Sequence, residues 1–180
     1  MRADAARNLD KILGTAARLL AADPTVSMAT IASEAGVDRR TVYRQFDSRE
    51  ALLAAIYKAR YDAVELAFEA ARLTEAPVTV ALHRYAEGII AATRQWPVAF
   101  DQMAADPATA ARRRELGDRL DTFIRRAVDE DLFRADLPHG WLEGLLRQVI
   151  KVAAEDVPHL TPAQAADLAI TTLLNGIGRV

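Results

Sequence analysis

Three arginines and a tyrosine crowd one short stretch, Arg39-Arg40-Thr41-Val42-Tyr43-Arg44, and their common chemistry is recognition of an anionic partner. A guanidinium forks onto a guanine edge or a phosphate, and a phenol donates to a phosphate oxygen. On a helix, spacing of three and four groups Arg40, Tyr43 and Arg44 on one face and turns Val42 and Phe46 to the other. Other chemistries lack their reagents. Without cysteine there is no disulfide, thiolate nucleophile or thiolate metal site. The serines, Ser27, Ser33 and Ser48, sit early in the chain, whereas His83, His139 and His159 all come later, so a serine–histidine pair has no support. Those histidines fit no His-Glu-x-x-His spacing, and glycine is too sparse for a phosphate loop. No enzyme, metal or cofactor is expected.

Charge is distributed unevenly. Residues 1–60 carry ten Lys/Arg against seven Asp/Glu and residues 61–180 carry thirteen against eighteen, giving +3 and −5 within a net charge of −2. A local positive excess is what a chain needs when one part of it meets phosphate.

The elements that hold the arginines can be read from small residues. In Met28-Ala-Thr-Ile-Ala-Ser-Glu-Ala-Gly-Val-Asp-Arg-Arg-Thr-Val-Tyr-Arg-Gln-Phe46, two short helices must cross closely. Ala32 permits the approach, Gly36 ends the first helix in a left-handed conformation, and Val42 plugs the second helix into the first. Ile31, Val37 and Phe46 complete a small core. Ser27, Asp38 and Ser48 are each placed to cap the helix that follows.

Apolar residues recur at three and four throughout, and alternating strand patterns are scarce, so the fold is expected to be all-α with about nine helices. The first runs over 5–22, short ones over 27–35 and 38–46, and a long fourth one from Ser48 to about residue 73. Prolines divide the remainder into segments 78–95, 97–105, 108–131, 140–155 and 161–177. The last two carry apolar stripes: Leu142, Leu145, Leu146, Val149 and Ala153 on one, Ala165, Leu168, Ala169, Thr172, Leu173, Gly176 and Ile177 on the other. Arg112-Arg-Arg114 and Asp129-Glu-Asp131 read as solvated charge runs. No apolar run reaches the ~18 residues of a membrane span, and the N-terminus lacks a signal-peptide pattern, so no membrane partner and a cytoplasmic location are expected.

Residues 9–56 resemble the N-terminal domain of TetR-family transcriptional regulators. The resemblance rests on Ala16-Ala-Arg-Leu-Leu-Ala, Ile31-Ala-x3-Ala-Gly-Val, Thr41-Val-Tyr-Arg-Gln-Phe and Asp47-Ser-Arg-Glu-Ala-Leu-Leu. It departs from the family in the loop Ala22-Asp-Pro-Thr-Val-Ser27, which lacks the glycine and aromatic often found there, and in Arg49, where lysine is usual. The resemblance implies an N-terminal three-helix helix-turn-helix DNA-binding domain, residues 1–50, and a C-terminal helical effector-binding and dimerisation domain, residues 51–180. It places Arg39, Arg40, Thr41 and Arg44 at base edges, and Ser27, Tyr43 and Arg49 on phosphates. The implied partners are an inverted-repeat double-stranded operator, a second copy of the chain and an unidentified small-molecule effector.

Within the C-terminal part, the resemblance places Phe68, Tyr85, Trp96, Phe100, Met103, Phe123 and Trp141 around an effector cavity, with Arg94 and Gln95 able to lend it polar contacts. The final helix is similar to the family's dimerisation helix. A homodimer is therefore expected through Leu142, Leu146, Val149, Leu168, Ala169, Leu173 and Gly176. The function this implies is ligand-released, sequence-specific repression. The competing reading is a helical adaptor that has lost operator binding, against which the retained basic face argues.

Overall fold

The computed structural model describes residues 2–98, 109–138 and 140–175, and every regular element among them is helical. The elements are α1 (Arg2–Ala22), α2 (Met28–Glu34), α3 (Arg39–Gln45), α4 (Arg49–Ala71), α5 (Val78–Gln95), α6 (Ala110–Asp129), α7 (Trp141–Glu155) and α8 (Pro162–Asn175). The helix expected over 97–105 falls largely outside the described residues. No helix among those described is long and apolar enough to cross a membrane.

Contacts divide the chain into two compact units, residues 1–61 with 95–110, and residues 62–94 with 111–180. The dividing point lies inside α4, so this one helix contributes to both.

Local signals build the first unit. The Ser27 hydroxyl accepts the Thr30 amide at 3.0 Å to start α2, the Asp38 carboxylate accepts the Arg40 amide at 2.7 Å to start α3, and Ser48 accepts the Ala51 amide at 3.1 Å to start α4. Each cap satisfies a donor that a helix start would otherwise leave bare, an effect of about 1 kcal/mol. Gly36 takes φ +62° between α2 and α3, a conformation that costs a side-chain-bearing residue about 1–2 kcal/mol. Behind these turns Ile12, Ala16, Ile31, Val42, Leu52 and Ile56 are wholly buried. Arg60 of α4 donates to the carbonyls of Trp96 and Val98 at 2.9 and 2.6 Å, holding the segment that follows α5.

The second unit is built on Leu82, Ile90, Leu120, Phe123, Leu146 and Ile170, all within 1% of full burial. Gly88 lets α5 meet α4 backbone to backbone: a Cβ there would lie 2.6 Å from the Ala67 Cβ. Three arginines spaced by seven along α6 then engage α4 and the segment that follows it. Arg112 bonds Glu65 and Asp62, each at 2.7 Å, Arg119 bonds Glu69 at 2.9 Å, and Arg126 donates to the Leu73 and Ala76 carbonyls at 2.7 and 2.9 Å. Arg112 thus leaves the solvated run expected of it. The acidic run at the end of α6 is offset locally, with Glu130 paired to Arg126 at 2.7 Å.

Candidate nucleic-acid interface

Helix α3 presents the expected face. Val42 and Phe46 are 0% and 6% exposed, so the opposite side of the helix is fixed outward. There Arg39, Arg40, Tyr43 and Arg44 are exposed and Thr41 is half-buried. The Arg39 guanidinium lies 5.2 Å from the centre of the Tyr43 ring, close enough for cation–π attraction, and donates to its hydroxyl at 3.4 Å. Among the described residues the guanidinium groups of Arg40 and Arg44 have no intramolecular partner. Two cations held on a capped helix, with no internal anion to neutralise them, can fork onto base edges or phosphates.

Two residues assigned to phosphates are also committed within the protein. Ser27 is exposed, and its hydroxyl caps α2 and shares a hydrogen bond with Thr30 Oγ1 at 2.9 Å. Arg49 differs more from expectation. Its guanidinium donates to the main-chain carbonyls of Pro24 and Val26, so it points at the loop between α1 and α2. The carbonyls attract it because a loop without regular structure leaves them unpaired.

The aromatic set separates. Phe68, Tyr85 and Phe123 are 3%, 4% and 1% exposed in the second unit, and Phe68 and Tyr85 meet edge to face with centroids 5.1 Å apart. Burial pushes the Tyr85 phenol up to about 12. Trp96, also buried, belongs to the first unit. Phe100 and Met103 lie outside the described residues. Trp141 is 57% exposed at the start of α7 and so leaves the set. Arg94 leaves it too. Its guanidinium donates to the carbonyls of Ala153, Ala154, Val157 and Leu160 at 2.6–3.0 Å, capping the C-terminal end of α7, which uses its donors for structure. An open groove of about 610 Å³ lies between the end of α4 and α6, and Arg72, Glu75, Arg114, Asp118 and Arg119 line it together with Phe68. Its lining is of mixed charge.

The two C-terminal stripes resolve into inner and outer faces. Helices α7 and α8 pack against each other. Leu146 and Ala169 are buried within the chain itself at 0% and 2% exposure, which removes them from any surface a partner can meet. Leu142, Val149 and Leu173 are half-buried, Leu168 is 49% exposed, and Gly176 lies outside the described residues. Leu145, Val152 and Leu174, which the expected contact set omits, are exposed. The apolar stripe legible in the sequence is broader than one face, and spacing alone does not say which edge of a broad stripe turns inward.

A capped, tightly turned helix pair with a basic second helix, joined to a separate helical unit, defines a helix-turn-helix DNA-binding regulator. Comparison with known proteins agrees. The family described as bacterial regulatory proteins, tetR family, matches residues 12–56. The HTH-type transcriptional repressor LfrR of Mycolicibacterium smegmatis (strain ATCC 700084 / mc(2)155) is 32% identical over 173 residues, covering 92% of this chain and 88% of that protein. The crystal structure of the TetR-like regulator LfrR from Mycobacterium smegmatis in complex with proflavine superimposes with a TM-score of 0.68 at 30% identity, covering 97% of this chain and 99% of that one. At 21% identity the TetR family regulator PfmR from Thermus thermophilus shares the fold, with a TM-score of 0.72 over 93% of this chain and 99% of its own. The chain belongs to the tetR family of bacterial regulatory proteins. It is a DNA-binding transcription regulator and not an enzyme.

Proposed function

We propose that the chain is a cytoplasmic repressor that binds an inverted-repeat operator as a homodimer and leaves it on binding a small, mainly apolar aromatic ligand. In this reading residues 1–50 read DNA and residues 51–180 hold the effector and the second subunit. The observation that carries the reading is the α3 face, where Arg40 and Arg44 stand exposed and unpaired over the buried Val42 and Phe46. Arg39, Arg40, Thr41 and Arg44 take the base edges, and Ser27 and Tyr43 the phosphates. Two such helices in a two-fold dimer read two half-sites, which is why an inverted repeat is the expected target.

The partner is a second copy of the chain, met through the outward side of α7 and α8, where Leu145, Val152 and Leu168 are exposed. The effector site is proposed around Phe68, which lines the groove beside α6, with the buried Tyr85 and Phe123 belonging to the core of the same unit. Proflavine, bound by the relative LfrR, is a planar aromatic of the chemical kind the Phe68 ring accommodates by stacking. Release follows if the ligand displaces the second-unit half of α4, because that helix continues without a break to Arg49. Coupling of this kind is reciprocal: the factor the ligand removes from DNA affinity, DNA removes from ligand affinity, typically ~1–3 kcal/mol.

The test is selection from a randomised duplex library by the purified full chain, followed by titration of the winning duplex with proflavine present. An enriched inverted repeat whose affinity falls as proflavine is added is expected. A wild-type chain that enriches no sequence overturns operator binding, and one that binds an operator equally well at saturating proflavine overturns this ligand class.

A further inference from the structure

The loop joining α1 to α2, residues 23–27, contains neither glycine nor an aromatic residue. Two groups converge on it. From within, one carboxylate oxygen of Asp23 accepts the Thr25 amide at 2.8 Å and the Thr25 hydroxyl at 2.7 Å, while the Val26 amide bonds the Asp23 carbonyl at 3.1 Å. From across the sequence, the part-buried Arg49 donates from its two terminal nitrogens to the carbonyls of Val26 and Pro24. The next residue after this clamped pair is Ser27, which caps α2.

Arginine is suited to this task and lysine is not. A planar guanidinium offers donors in a fixed fork that reaches two carbonyls at once, whereas an ammonium is a single flexible point charge. The same two nitrogens are the ones a phosphate would engage, and here they face main-chain oxygens.

We infer that Arg49 is a positioning residue for operator binding: it clamps residues 23–27, and through them Ser27 and the start of α2, and does not itself ligate a phosphate. The inference rests on the operator-binding reading above. Arginine at the first position of α4 and the loop before α2 then act together, the side chain ordering main-chain carbonyls that the loop itself leaves unpaired.

The experiment uses the full chain and the duplex enriched by the wild-type protein. Affinity is measured over a range of salt for wild type, Arg49→Lys, Arg49→Ala and Asp23→Ala, with amide hydrogen exchange read at Val26 and Thr30. Arg49→Lys and Arg49→Ala should both weaken binding by about tenfold, as expected for loss of hydrogen bonds from a charged donor. Their salt slopes should match that of wild type, and exchange at Val26 should quicken. Asp23→Ala removes a negative charge, which by electrostatics alone strengthens binding to DNA, yet loosening of the loop should make it bind more weakly. Arg49→Lys binding like wild type overturns the clamp. So does a slope that falls by about 0.9 in Arg49→Ala, the signature of one lost phosphate contact, or an Asp23→Ala that binds tighter. Should Arg49→Ala fail to fold, Arg49→Lys and Asp23→Ala decide the matter. A wild-type chain that enriches no duplex overturns the operator reading instead, and unchanged exchange at Val26 in Arg49→Lys then overturns the clamp by itself.

Discussion

Asp131 closes α6 in the left-handed conformation, φ +58°, at a position that helix ends usually give to glycine. The Leu132 amide reaches back to the Ala127 carbonyl at 2.8 Å, so the turn is well made and the side chain is what is ill suited. Two costs fall on it, the steric penalty of φ > 0 and a negative charge at the negative end of a helix dipole. Asp131→Gly should stabilise the protein by about 1 kcal/mol in urea denaturation, while Asp131→Ala, which removes only the charge, should gain less or lose. In the proposed function Arg44 reads a base edge. Arg44→Ala should cost about 1–3 kcal/mol of discrimination at one base position while leaving the melting temperature unchanged, as repeated site selection would show. The α3 arginines were legible from sequence because spacing of three and four sets their face against Val42 and Phe46. Arg94 was not, since its partners lie about 60 residues away in the carbonyls that end α7, and no local pattern marks a main-chain acceptor.

At the scale of elements, caps were readable and helix contacts were not. Ser27, Asp38 and Ser48 each act on an amide two or three residues on, within the reach of local reading. The arginine ladder of α6 instead depends on which helix lies opposite, and its seven-residue spacing resembles any exposed polar stripe. In the folded chain the Arg112 guanidinium holds the Glu65 carboxyl below its ordinary range. A depressed folded value means that the pair stabilises the protein above the unfolded pKa and loses that contribution as pH falls through the folded one. Glu65→Gln should therefore flatten the loss of stability on acidification, measured by thermal melts at decreasing pH. The crossing of α4 and α5 is governed by Gly88. Alanine gains helix propensity of about 1 kcal/mol but forces its Cβ into Ala67, and overpacking of this sort costs about 1–3 kcal/mol. Gly88→Ala should lower the melting temperature, and Ala67→Gly added to it should restore part of the loss by removing the Cβ that lies 2.6 Å away.

In the proposed dimer two recognition helices must be held at one spacing, and the outward side of α7 and α8 is the surface proposed to hold them. Sequence periodicity found both helices but merged their two faces, assigning Leu146 and Ala169 to a partner when both pack inside the chain. Exposure separates them. Leu145, Val152 and Leu168 are 38%, 54% and 49% exposed, and covering what remains of each with a second copy gains about 0.5–1.5 kcal/mol. Replacing Val152 and Leu168 together by aspartate would bury two unpaired carboxylates in such an interface at a cost of several kcal/mol, while leaving the inner faces of both helices untouched. The expected result is a folded monomer, with a wild-type circular dichroism spectrum and half the wild-type mass in sedimentation equilibrium. Operator binding should fall with it, because a single α3 contacts one half-site only, whereas affinity for an isolated half-site should stay at the wild-type value. A double variant that sediments as a dimer would move the interface elsewhere. A monomer that still bound the full inverted repeat as tightly as wild type would mean that the two half-sites are read independently, and the dimer would then have no part in recognition.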